Sequence, residues 1–310
     1  MTTDRRVASV WAYARWMGNV SAAEVLTQRV RGVLAASIRR QLIGDGTPVR
    51  DLTEPIEGDP GLFGPGSATW QVHADAAMLI GGVRALLLQT MHPLAMAGVH
   101  DHSAYKTDPM GRLWRTSEYV GTTSFGSTAE AERAVTMVKR VHVKVTGTAP
   151  DGRPYAANDP HLMAWVHHAL TESFLVAYQR YGAKPLSAQM ADRYVAEQAV
   201  LAEMLGADVP GPARSVAELQ AWMAGIRPEL KAGRQAREAV RFLLTPPLPL
   251  LTRAPYVVLA AAAVGLLPRH VTNGLRIPVV PLADPLAVRP ATKAMSAVIG
   301  WAMTAPLPAS

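Results

Sequence analysis

Two stretches of this 310-residue chain are apolar on nearly every side of a helix, and together they fix the interior around which everything else must pack. The first runs from about Ser67 to Met91, where Ala76, Ala77, Met78, Leu79, Ile80, Leu86, Leu87 and Leu88 cover most directions. Pro93 is expected to end it, just after His92. The second follows Asn158-Asp159-Pro160, a cap residue and then proline at the first helical position, and runs to Gly182. A helix that is hydrophobic all round belongs at the centre of a bundle. The first also carries Gly81-Gly82 in its middle. Glycine there costs about 1 kcal/mol of helix propensity per residue, which makes sense if a flat group or another backbone packs closely.

The remaining segments read as helices around this pair. They cover about 108–123, 127–147, 187–205, 215–226, 228–244, 256–267 and 291–303, with loops over 43–66 and 98–109 and a turn over 148–154. No alternating pattern of useful length and no internal repeat is present. The expectation is an all-α protein with a single helical domain over 59–285. A helical arm and loop (1–58) precede it, and a C-terminal helix (286–310) follows.

Composition narrows the chemistry. Hydrophobic residues make up 49% of the chain and charged ones 18%, as a large interior requires. Cysteine is absent, which excludes disulfides, thiolate metal sites, iron–sulfur clusters and cysteine-ligated haem. Net charge is +7, and eight arginines in the first fifty residues face only Asp4, Glu24 and Asp45. No zinc-finger spacing, helix-turn-helix or aromatic platform accompanies them, so a solvated arginine face is expected rather than nucleic-acid binding. No run reaches the roughly 18–20 apolar residues of a spanning helix. The longest, Tyr256 to Leu267, reads as a buried helix, with contact at a membrane surface as the other reading. Arg15 interrupts the apolar region after Arg5-Arg6 and no cleavage site follows, so a cytoplasmic protein is expected.

The stretch Ser127–Gly147 is the best-delimited helix. Ser127 and Glu130 form a capping box, and Gly147 is a natural stop. Ala134, Val135, Val138, Val141 and Val145 make a stripe toward a core, and His142 lies on it. A neutral imidazole on a rigid apolar face suits a metal ligand. It also suits an inert core histidine, which is the commoner case for a lone one. Yet eight of the nine histidines (73, 92, 100, 102, 142, 161, 167, 168) fall between residues 73 and 168, beside the central helices. Within the same span, Arg112, Arg115, Thr116 and Tyr119 share one helix face, and such arginines can hold carboxylates.

Several site types are missing. There is no His-Glu-x-x-His, no pair of Glu-x-x-His motifs and no Gly-x-Ser-x-Gly. A helical pocket with imidazoles, a close-approach Gly81-Gly82 and carboxylate-binding arginines remains, and it fits haem among other ligands.

The runs HPLAMAGVHDHSAYKTDPMGRLWRTSEYV (92–120) and RVHVKVTGTAPDGRPYAANDPHLMAWVHHALTESFLVAYQRYG (140–182) resemble the family of latex clearing protein (rubber oxygenase) and MpaB-type oxygenases. The resemblance covers roughly residues 60–270. It implies an all-α, globin-like core binding haem b, and oxidative chemistry with dioxygen on a hydrophobic, isoprenoid-type substrate. By position it implies His142 as the proximal haem-iron ligand, within the run Lys139–His142. It also implies Arg112, Arg115 and Thr116 on the distal side or at the propionates, and His167 of Trp165-Val166-His167 in the pocket wall. Where latex clearing protein has a lysine able to ligate iron, this chain has Arg115, whose guanidinium offers no lone pair. The competing expectations are a non-catalytic haem or lipid carrier using the same pocket, and a helical scaffold with internally satisfied histidines.

Overall fold

A computed structural model describes residues 58–207, 211–246, 248, 250–278, 284–294 and 297. The N-terminal arm and most of the C-terminal helix lie outside the described residues. Within them the protein is all-α apart from one small pair of strands.

The expected helix over 67–91 is two helices, α1 (Ala68–His73) and α2 (Ala77–Gln89). Asp75 explains the break. Its carboxylate accepts from the N–H of Ala77 at 2.7 Å and from the N–H of Ala183 at 3.0 Å. A short acidic side chain thus offers the backbone a local alternative to the helical ladder. The expected loop at 98–109 is largely helix as well. Pro93 starts α3 (Pro93–His102), with His92 as its N-cap. Proline after a helical run can be both a stop for one helix and a first residue for the next, and both apply here, since α2 ends at Gln89.

Asp108 then caps α4 (Pro109–Phe125), and Ser127 and Glu130 form the expected capping box on α5 (Thr128–His142). These two helices are an antiparallel hairpin. The second ends at His142 rather than at Gly147, which lies in strand β1 (Thr146–Thr148) paired with β2 (Pro154–Ala156). A side chain on Gly147 would sit 2.5 Å from the Tyr155 hydroxyl, so its glycine serves that contact rather than a helix end. Then come α6 (Pro160–Tyr181), α7 (Ala188–Leu205), α8 (Val216–Gly225), a 3-10 turn (Arg227–Glu229), α9 (Arg234–Leu244), α10 (Leu250–Gly265) and α11 (Arg269–Leu275).

The core forms where α2 lies along α6. Gly81 makes the approach possible: a Cβ there would meet Phe174 Cδ1 at 2.6 Å and Phe174 Cα at 2.9 Å. Of the two close neighbours expected for Gly81, a flat group or another backbone, the one present is another helix backbone. Gly82 meets only the Phe174 ring edge, at 3.9 Å. Arg84, fully buried on the same helix, pairs with Glu172 at 2.9 Å, Ser173 at 2.6 Å and the Leu266 carbonyl at 3.1 Å. It ties α2, α6 and the end of α10 into one unit. Truncating such a buried charge partner costs about 3–5 kcal/mol.

No single described helix is long and apolar enough to cross a membrane. Arg253–Gly265 and Arg269–Leu275 pass that test only as a pair bent by 119°. The α4/α5 hairpin attaches through α1 and α7, while α6 packs on α1, α2, α3, α7 and α8.

Candidate functional site

Three helices bring the chemistry together. On α5 the residues turned inward are Ala131, Ala134, Val135, Val138 and His142, all buried or half-buried, while Val141 is 52% exposed. The stripe therefore runs one position away from the expected Val141. His142 Nδ1 lies 3.2 Å from the Met163 sulfur on α6. A thioether is a weak acceptor, so the ring proton belongs on Nδ1 and Nε2 keeps its lone pair. Burial holds the imidazole below the usual histidine range, so it is neutral at pH 7.

Met163, His167 and Thr171 follow one another at four-residue steps on α6 and so share a face. His167 is buried, its pKa pushed down to about 3 by desolvation and the neighbouring His168. His167 Nε2 and Thr171 Oγ1 are both shielded from solvent with no hydrogen-bond partner, and so is the Tyr119 hydroxyl on α4. Each such atom costs about 1–3 kcal/mol. Burial pushes the Tyr119 hydroxyl far above the ordinary phenol value.

The arginine face divides in two. Arg112 is half-buried and donates to the Ser103 hydroxyl at 2.7 Å, and desolvation lowers its pKa. Thr116 donates to the Arg112 carbonyl at 3.0 Å. Arg115 is 63% exposed and lies 3.6 Å from Asp108, so it is a rim residue. The α4/α5 hairpin, closed at Gly126, sets Arg112 at the same end as His142. Lys139 does not join them, because its ammonium donates to the Met204 carbonyl at the end of α7, 3.2 Å away.

Other histidines are structural. His73 lies between Ser124 Oγ at 2.6 Å and the Tyr194 hydroxyl at 3.0 Å. Ser124 spends its proton on the Val120 carbonyl, so His73 donates from Nδ1 and accepts the Tyr194 proton at Nε2. His168 donates to the Ala164 carbonyl at 2.7 Å, accepts from Ala213 N–H at 3.0 Å, and stacks on Trp222 at 4.4 Å. His100 meets Tyr105, and His102 meets the Thr146 carbonyl. Met163 and Tyr119 are the site residues that sequence reasoning left without a role. The four-step spacing Met163, His167, Thr171 is the signal that points to the first.

Two open surface concavities, of about 390 and 440 Å³, lie away from this site, beside Trp222 and beside His270. The residues present fit a haem group. They offer a neutral imidazole with a free Nε2 on α5, orphaned polar atoms on α6 and α4, and the half-buried guanidinium of Arg112 on α4. Residues 70–300, well over half of the chain, match the family described as ER-bound oxygenase mpaB/B'/Rubber oxygenase, catalytic domain. A search of curated proteins and of solved structures finds no match.

Proposed function

Because the chain belongs to the family of mpaB/B' and rubber oxygenase catalytic domains, we propose that it is a haem b-dependent oxygenase acting with dioxygen on a hydrophobic, isoprenoid-type substrate. The observation that carries the haem reading is His142. It stands at the end of a well-capped helix, neutral, with Nδ1 spent on Met163 and Nε2 free to ligate. Haem supplies the oxygen and one-electron chemistry when bound.

The protein's own groups bind and orient. Met163 holds the ring angle of His142, the kind of outer contact that fixes a metal-ligating histidine. Arg112, half-buried and cationic, would stabilise negative charge that develops beside it. Its value rises as water is excluded. Arg115, exposed beside Asp108, would be able to pair with a carboxylate such as a haem propionate. His167 and Thr171 supply hydrogen-bonding atoms that the folded chain leaves unused.

The test is oxygen uptake by the haem-loaded protein presented with an isoprenoid alkene, with carbonyl products followed by mass spectrometry. Uptake that falls on Arg112→Ala supports the reading. Haem binding without uptake on any alkene would favour a carrier instead.

A further inference from the structure

A second group of histidines lies outside this cleft, where three separate elements meet. His92 caps α3, His161 is in the first turn of α6, and Glu229 closes the 3-10 turn after α8. His161 Nε2 is 3.0 and 2.9 Å from the two carboxylate oxygens of Glu229, and His92 Nε2 is 3.5 Å from Glu229 Oε2. One ligand atom from each residue lies within 4.8 Å of the others. His92 is 1% exposed, and its Nε2 points into the group with no hydrogen-bond partner. A histidine–glutamate contact at the surface accounts for His161, but it leaves the buried nitrogen unexplained.

We propose that His92, His161 and Glu229 form a binding site for a divalent transition-metal ion of the zinc class. Two imidazoles and one carboxylate are the donor set that borderline-soft divalent ions prefer over calcium or magnesium. With metal–ligand bonds of about 2.0–2.1 Å, tetrahedral ligands stand about 3.3 Å apart, close to the spacing of the two measured nitrogen–oxygen edges. The other nitrogen of His92 receives only the Ala95 N–H, at a long 3.4 Å, a contact the ring gives up when it carries its proton on Nδ1. The nearby cation, Arg153, is bound to Asp151 at 2.8 and 3.1 Å, which tempers its repulsion. Three protein ligands leave one position open, and because His161 and Glu229 are exposed, that position faces water.

The test is equilibrium dialysis of the untagged, haem-loaded protein against zinc, with metal measured by mass spectrometry. One zinc per chain is expected, and magnesium is expected not to compete. Glu229→Gln and His161→Asn alter exposed side chains and leave the fold intact. Each is expected to weaken zinc binding by more than about 100-fold, beyond the loss typical of an outer-shell change. His270→Asn, a histidine elsewhere on the surface, is expected to change nothing. His142→Ala is expected to keep its zinc whatever it does to haem, which separates this site from the oxygenase reading. No retained zinc, or equal zinc in the Glu229→Gln and wild-type proteins, would overturn the proposal.

Discussion

His73 and His167 are buried to nearly the same degree, 5% and 7% exposed, and desolvation pushes both pKa values down to about 3. They nevertheless belong to opposite kinds of region. Around His73 every donor meets an acceptor, in a chain that runs from Tyr194 through the ring to Ser124 and the Val120 carbonyl, and three helices are fixed by it. Around His167 the account does not close: its Nε2, Thr171 Oγ1 and the Tyr119 hydroxyl are all buried and unpaired. Depth alone therefore does not mark a functional histidine in this protein. On the proposed reading, what marks it is a ring nitrogen left over after the fold has taken its share, as His142 Nε2 also is.

The comparison can be broken in several ways. The largest effect is expected at His73. His73→Ala strands Tyr194 and Ser124 and opens a cavity, and should cost about 3–5 kcal/mol in urea unfolding, with haem binding falling only as far as the fold does. Gly81→Ala comes next. It forces α2 off Phe174 and is expected to cost about 1–3 kcal/mol without changing the haem spectrum of the folded fraction. Should haem be lost while stability is kept, Gly81 would return to the cofactor site. His167→Leu is expected to behave in the opposite sense. Stability should stay within about 1 kcal/mol, because the imidazole is unpaired at Nε2, while turnover drops by about 10- to 100-fold. A stability loss as large as that of His73→Ala would place both histidines in one structural class.

A pH effect is shared by the two. Both folded pKa values lie below the free-histidine value of 6.5, so the unfolded chain binds protons that the folded chain refuses. Stability is complete above about pH 6.5 and is lost as pH falls toward about 3, by about 1.4 kcal/mol per pH unit for each ring. Denaturation curves of His73→Leu and His167→Leu taken across that window should each show a shallower fall than wild type.

Much of this was legible in the residues. The capping box at Ser127 and Glu130, the Asp-Pro starts at Pro109 and Pro160, and the glycine demand at Gly81 were each local, and local rules hold when one turn decides the outcome. The partner of Gly81 was not local. The same glycine suits a flat ligand or a second helix, and only the placement of Phe174 decides between them. Pro93 was read only as a stop for the helix before it, and its second role as the start of α3 was missed for a related reason, since a proline does both with the same ring. The division of Arg112 from Arg115 turns on Ser103, the C-cap of α3, and Asp108, the N-cap of α4, neither of which a helical wheel of α4 contains. His92, His161 and Glu229 are 137 residues apart from first to last in the chain, and their meeting is a tertiary fact.

The central claim is that His142 holds the iron of a haem b. It is tested most directly by the oxidised and dithionite-reduced absorption spectra of the haem-loaded wild type and of His142→Ala, matched for helical content by circular dichroism. The account predicts a Soret band that shifts on reduction in the wild type and near-complete loss of bound haem in the variant. A variant that keeps the same haem content and the same spectrum would contradict it.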